Sequence, residues 1–342
     1  MKKKKTNLLF QDGNGDSAAL NKRQKTELTF PKLPPSGFPT DFPYNKETFR
    51  YYLAEPDINA PERKEYEESQ DCGKSFPNWL FRRLMPEKVV LSMHDRAPQL
   101  KLSDDNTTVV GEKGYSSIRA NTGVNTGTWY YEVKINQMPD NSATRIGWAQ
   151  ELANLQAPLG YDRFGYSWRS RKGTKFHQSI GKHFADEGFG VGDVLGCLID
   201  LPRERPFLQK AYKKLPIFKF KSYLYFEEKD DVQKAIKELK PLQNAKIVYY
   251  KNGTKIGTAF ENIYNGVYYP AAGLFKNISI TFNFGPHFDY PPTDTEFGSR
   301  YRGMNEAAFD NQIEQTIADM VYLVDNESKG TLSVKNFYSK NG

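Results

Sequence analysis

The sequence predicts an all-β protein: an antiparallel β-sandwich with an N-terminal arm, a long basic loop insertion and a C-terminal amphipathic helix. Three observations predict it. Aromatic residues make up 14% of the 342 residues, led by 23 Phe and 21 Tyr, and such side chains favour pleated, half-buried surfaces. Short β-like runs separated by turn residues recur from Lys88 to Phe284, the pattern of a sandwich or barrel. Beyond Pro291-Pro292 the hydrophobic period changes from two to about 3.6 residues, the period of a helix.

Taken in order, residues 1–40 carry Lys2 to Lys5, then Lys22-Arg23-Gln24-Lys25, then Pro31, Pro34, Pro35 and Pro39, with no hydrophobic period. This predicts a disordered basic tail. Its two basic clusters fit a bipartite nuclear-import signal or a solvated tail. Residues 41–86 mix Phe49, Tyr51, Tyr52, Trp79 and Phe81 with prolines and charge, and predict an irregular arm packed on the sandwich. Residues 87–292 form the sandwich, with strands expected at Val89–Leu91, Thr107–Val110, Trp129–Ile135, Arg145–Ala149 and Val194–Leu201. Positions 129, 131, 133 and 135 are apolar or aromatic while Glu132 and Lys134 alternate with them, which reads as a half-buried strand.

Residues 203–246 bring Arg203, Arg205, Lys210, Lys213, Lys214, Lys219 and Lys221, then the charged run Glu227–Asp231. They read as a basic loop insertion with a short helix ending at Leu239. Strands resume at Lys246–Tyr250, turn at Asn252-Gly253, a strong hairpin signal, and continue at Ile256–Phe260, Tyr268–Leu274 and Ile278–Phe284. Residues 304–327 form a helix in which Phe309, Ile313, Ile317, Met320 and Val324, with Val321 beside them, share one stripe. No second long helix is expected to cover it, so the stripe reads as a docking element, with ordinary core as the alternative. Residues 328–342 read as a flexible tail.

Composition and motifs exclude several function classes. The net charge is +7 and the only cysteines are Cys72 and Cys197, too few for a disulfide scaffold or a paired-cysteine zinc site. A reducing, intracellular compartment is expected, and no apolar run reaches the roughly 18 residues of a membrane span. His94, His177, His183 and His287 lack metal-ligand spacing and read as surface or loop residues. Gly188, Gly190 and Gly192 do not form a dinucleotide fingerprint, and Arg171–Lys175 is not a Walker loop. No nucleophile elbow is present, and Cys197 sits within an apolar run. No catalytic, cofactor or metal residues are assigned.

The stretch from Arg145 to His183 is different. Arg145, Tyr161, Arg163, Tyr166, Trp168, Arg169, Arg171, Lys172 and Lys175 concentrate cations and aromatics with few acids. Guanidinium forks grip carboxylates in two places, and aromatics exclude water around them. An acidic ligand is the expectation, with an internal salt bridge at Arg145 as the alternative.

The segments Gly127–Val133, Gly192–Gly196, Tyr250–Gly253 and Tyr269–Ala271 resemble the strands of a SPRY domain. More narrowly, Asp95–Leu100, Leu155–Tyr161 and Gly173–His183 resemble the Ash-two-like subunit of COMPASS/MLL histone H3 lysine-4 methyltransferase complexes, over about Phe42 to Asp325. The resemblance implies a SPRY-type sandwich and a nuclear, non-catalytic subunit without cofactor. It implies that an acidic segment of the retinoblastoma-binding-protein-five-type subunit is bound by Tyr115, Arg145, Pro158, Tyr161 and Arg169, and that the pair supports the SET-domain subunit. The segment Gln315–Tyr322 resembles the helix that docks a Dpy-thirty-type dimer, which implies binding through Ile313, Ile317, Met320, Val321 and Val324. The PHD-like and winged-helix parts of some members have no counterpart ahead of the sandwich, where Cys72 stands alone. Lys22, Arg23, Lys25, Lys213 and Lys214 remain candidates for nucleosomal DNA contact through phosphates. The competing readings are a generic SPRY adaptor, such as a ubiquitin-ligase substrate receptor, and a nucleic-acid-binding protein. No membrane partner is expected.

Overall fold

The computed structural model describes residues 32–34, 37–43, 49–69, 75–202 and 209–341. Two antiparallel sheets form the sandwich. In space, one runs Ile180–His183, Thr174–His177, Gly165–Arg169, Ala143–Ala149, Tyr269–Phe275, Ser116–Ala120 and Leu91–Arg96. The other runs Thr254–Glu261, Lys246–Lys251, Val194–Leu201, Gly127–Gln137, Ile278–Asn283, Thr108–Gly111 and Lys101–Leu102, with Arg302–Gly303 pairing parallel to the start of Gly127–Gln137. Each strand expected in the sandwich forms at or within a few residues of its expected place. The reason is alternation: Trp129, Tyr131, Val133, Trp148, Trp168, Leu195, Ile199, Ile247, Tyr249, Ile280 and Phe282 all turn into one core.

Strand Gly127–Gln137 departs from the half-buried reading. Tyr130 packs with Leu198, Tyr250 and Phe297 in a separate cluster, and Glu132 is 1% exposed. The chain beyond the last long strand folds back over this face, and Glu132 accepts hydrogen bonds from the backbone N–H groups of Asp289 and Tyr290 (2.8 and 2.7 Å). A buried carboxylate is tolerated because these donors satisfy it. Only Lys134 faces solvent as expected.

The arm and the insertion are not irregular. Phe49–Pro56 and Phe81–Arg83 from the arm join Ile217–Phe220 and Tyr223–Lys229 from the insertion in a four-stranded antiparallel sheet. Helix α1 spans Arg63–Ser69 in the arm and α2 spans Val232–Glu238 in the insertion, the latter capped by Asp231, whose side chain accepts from Lys234 N–H. The charge run Glu227–Lys229 is therefore mostly strand, not helix approach. One face of the sheet presents Tyr52, Ala54, Leu224 and Phe226 to Trp79, Leu80 and Phe81; the other packs Leu53 and Tyr225 with Phe42, Leu33 and Phe38. Leu33 and Phe38 were expected in the tail, yet they pack with the small sheet. The basic cluster at residues 22–25 lies outside the described residues.

Helix α3 spans Ala307–Glu327, close to the expected bounds. The predicted flexible tail instead forms a further helix, α4 (Val334–Asn341); Val334, Phe337 and Tyr338, three and four residues apart, share one side that packs on the small sheet's cluster, with Leu332 just ahead of the helix. Two histidines also depart from the surface reading. His177 stacks on Tyr166 at 3.9 Å, and His94 lies against Phe38 and Phe42.

Candidate functional site

Two guanidinium groups meet on the outer face of the first sheet. Arg145 and Arg169 stand directly opposite each other on the paired strands Ala143–Ala149 and Gly165–Arg169. Arg145 is 7% exposed, donates from Nη1 to the Leu159 carbonyl at 3.1 Å, and keeps its Nε buried without a hydrogen-bond partner among the described residues. Arg169 donates from Nε to the Arg171 carbonyl. Among the described residues neither is ion-paired, so the internal salt bridge considered for Arg145 does not form. Burial, with the neighbouring Arg169 adding to it, pulls Arg145 below the usual arginine range while Tyr115 opposes this.

Aromatic rings frame the pair. The Phe176 ring centroid lies 3.7 Å from Arg145 Cζ and 5.0 Å from Arg169 Cζ, and Tyr115, stacked on Phe275 at 4.6 Å, lies 5.5 Å from Arg145. Tyr115, Arg145 and Arg169 are thus brought together around Phe176. Pro158 and Tyr161 occupy the loop whose Leu159 carbonyl holds Arg145; Tyr161 is exposed, and its carbonyl accepts from Ser179 Oγ at 2.8 Å. Gly160 in this loop has φ +84°, and a Cβ there would lie 2.6 Å from the Phe176 carbonyl oxygen. Glycine therefore lets the loop close onto the neighbouring strand.

Phe176 was missed in the sequence. Strand Thr174–His177 has four residues, too few for a period to stand out, and the only signal was an aromatic amid cations. Two more cations of the basic stretch are used elsewhere: Lys175 Nζ donates to the Ala259 carbonyl and Arg171 to the carbonyls of Ser142 and Asp140.

A second surface lies on α3. Ala307, Ala308, Gln315, Ala318, Asp319 and Leu323 are buried. The opposite side carries Phe309, Ile313, Ile317, Met320, Val321 and Val324, each between 40 and 66% exposed. The stripe does not fold back as core.

Lys213 is a correction. It is wholly buried, with Nζ donating to Asp57 Oδ2 (2.6 Å) and to the carbonyls of Trp79 and Phe81 (2.9 and 2.8 Å). Its three donors are satisfied inside the fold, so it cannot reach DNA. Lys214 beside it is exposed. Among the described residues no helix is long and apolar enough to cross a membrane, and no cluster of three or more His, Cys, Asp or Glu could hold a metal ion.

Comparison with known proteins adds a family context. The SPRY domain model matches residues 128–225. The Drosophila melanogaster protein named Set1/Ash2 histone methyltransferase complex subunit ASH2 is 50% identical over 301 residues, covering 87% of this chain and 54% of that protein. The Caenorhabditis elegans Set1/Ash2 histone methyltransferase complex subunit ash-2 is 37% identical over 326 residues, covering 92% and 56%. The Schizosaccharomyces pombe Set1 complex component ash2 is 29% identical over 345 residues, covering 87% and 50%. The chain spans about half the length of the curated relatives it matches.

Proposed function

This chain is Ash2-like and contains a SPRY domain, and from that premise we propose that it is a non-catalytic scaffold and activator subunit of a nuclear histone H3 lysine-4 methyltransferase complex. Its relatives are named as subunits of Set1/Ash2 histone methyltransferase complexes. In this reading the pocket of Tyr115, Arg145, Pro158, Tyr161 and Arg169 binds an acidic segment of a retinoblastoma-binding-protein-five-type subunit. The exposed stripe of α3 takes a Dpy-thirty-type helical dimer. The SET-domain subunit performs the methyl transfer, and this chain raises the population of its active arrangement by binding that arrangement better.

The observation that carries the reading is the Arg145–Arg169 pair. Two adjacent cations with no carboxylate partner among the described residues, one of them buried, form an uncompensated charge that an acidic ligand neutralises. The stripe supports the second contact: fully burying one such side chain contributes about 1.5 to 3 kcal/mol, so two or three supply most of a micromolar interface after association costs. Of the candidate DNA contacts, Lys22, Arg23 and Lys25 lie outside the described residues and Lys214 is solvent-facing.

The test is a methyl-transfer assay on histone H3 with a SET-domain subunit, with and without this chain and the acidic partner. Stimulation only when both are present is expected. Methyl transfer by the chain alone, or undiminished stimulation by an Arg145→Ala, Arg169→Ala double variant, overturns the proposal.

A further inference from the structure

We propose that Phe176 is a binding residue of the arginine pocket, a shared aromatic platform that presents the edges of Arg145 and Arg169 to two carboxylates of one acidic segment, and that Gly181 is its positioning residue. This rests on the acidic-ligand reading given above and deepens it by naming what the ligand must carry.

Strand register places the groups together. Arg145 pairs with Arg169; Ser167, two residues before Arg169, shares its face and pairs with Phe176; Phe176 pairs with Gly181. Phe176 is therefore the diagonal neighbour of Arg169, within reach of an aromatic ring. At 3.7 Å from the ring centroid, Arg145 has one flat face covered. The ring's negative face stabilises the cation, and the same ring lies 5.0 Å from Arg169. It moderates the repulsion between two guanidiniums that lack a carboxylate among the described residues. A guanidinium with its face covered binds through its N–H edge, which suits a planar carboxylate held in two places. Nε of Arg145, buried and without a partner among the described residues, leaves that edge with an unsatisfied donor.

Gly181 lets the ring lie where it does. A Cβ at that position would stand 2.8 Å from Phe176 Cε1 and 3.0 Å from Cζ. Any larger residue displaces the ring and with it the plane of Arg145. The hairpin carrying Phe176 and Gly181 is fixed to the pocket loop by its turn: Gln178 N–H and Ser179 N–H donate to the carbonyls of Asp162 and Gly160 at 3.1 and 2.9 Å. Both turn residues have positive φ, 54° and 60°, the conformation of a tight two-residue hairpin turn. The platform is thereby held against the loop that anchors Arg145 through Leu159.

The test uses the full chain and two synthetic peptides, one with adjacent glutamates and aspartates and one with these replaced by glutamine and asparagine, titrated by calorimetry. Phe176→Leu keeps apolar bulk without the ring face and is expected to weaken the acidic peptide about 3- to 30-fold, the range of a cation–π contact. Phe176→Tyr should bind within about twofold of the parent, and Gly181→Ala should weaken binding as Phe176→Leu does, with the amide peptide unbound by all. If Phe176→Leu melts early, Gly181→Ala decides, since its ring remains. Wild-type affinity in Gly181→Ala and Phe176→Leu, alongside loss in Arg145→Ala, overturns the platform and leaves the pocket standing. Equal loss in the Leu and Tyr variants also overturns it. Failure of the parent chain to bind the acidic peptide overturns both readings.

Discussion

Arg50 of the small sheet lies 2.7 Å from Glu151 of the sandwich, and this ion pair joins the two units of the fold. Arg50 also pairs with Asp230 at 2.6 Å, and the Tyr52 hydroxyl on the same strand, with a single proton to donate, stands within hydrogen-bond distance of both Glu151 and Glu228. The two ion pairs draw Arg50 from the arm, Asp230 from the insertion and Glu151 from the loop after strand Ala143–Ala149.

The pair makes acid stability depend on Glu151. Burial opposes its ionisation, but Arg50 and Lys210 more than offset this and hold the carboxyl at about 2, below the ordinary 4.5. A depressed carboxyl stabilises the fold above its unfolded value and loses that contribution as pH falls from about 4.5 towards 2, about 3 kcal/mol at most. Thermal melting of Glu151→Gln should be lower than the parent at pH 7, with the difference shrinking over that window.

Replacing Arg145 or Arg169 by Ala should weaken an acidic peptide roughly tenfold or more each, because charge-assisted hydrogen bonds contribute about 1.5 to 3 kcal/mol. Affinity should also fall with added salt. Calorimetry at two ionic strengths checks both; equal affinity in a folded Arg145→Ala chain excludes the assignment.

On α3 the two faces should respond oppositely. Ile317→Glu, on the exposed stripe, should abolish capture of a helical partner and leave melting and acidic-peptide binding unchanged. Leu323→Ala, on the buried side, should cost about 2 to 5 kcal/mol of stability. Melting and pull-down on the two variants separate docking from core; early melting of Ile317→Glu with the partner still bound would reverse the roles.

Asp319 should destabilise the fold at neutral pH. It is buried on α3, and burial raises its carboxyl to about 6 although Lys213 and Gln315 oppose this. A raised carboxyl contributes stability below its unfolded value of 3.8, and that contribution is lost as pH rises through about 6. Asp319→Asn should therefore melt higher than the parent at pH 8 and close to it at pH 4, with a gain of no more than about 3 kcal/mol. Melting curves at the two values decide.

The sandwich was legible because each long strand carries its own alternation, as Trp129, Tyr131 and Val133 do. The small sheet was not, since Phe49–Ala54 finds its partner at Leu224–Lys229, and a charged run ending in Glu227-Glu228-Lys229 conceals a strand whose Leu224 and Phe226 face inward. Arg145 and Arg169 were visible as chemistry, but their apposition came from register and Phe176 from a strand too short to announce itself. Lys213 misled for a related reason: among lysines it reads as surface, and its partners Asp57, Trp79 and Phe81 come from distant chain.

Helix α3 starts against the sandwich core through Ala307 and Ala308, but its far end, at Leu323, rests on a sheet woven from two stretches far apart in the chain. Excising the insertion as though it were dispensable would strip the arm of its neighbouring strand and leave Leu323, Leu332 and Val334 without a floor. The exposed stripe would then lose its bearing although none of its own residues had been touched. Trimming the molecule at residue 57 would do the same from the opposite end. Arm, insertion and C-terminal helices are therefore interdependent, and a fragment that keeps the sandwich alone inherits the arginine pocket but not the helix in its seat.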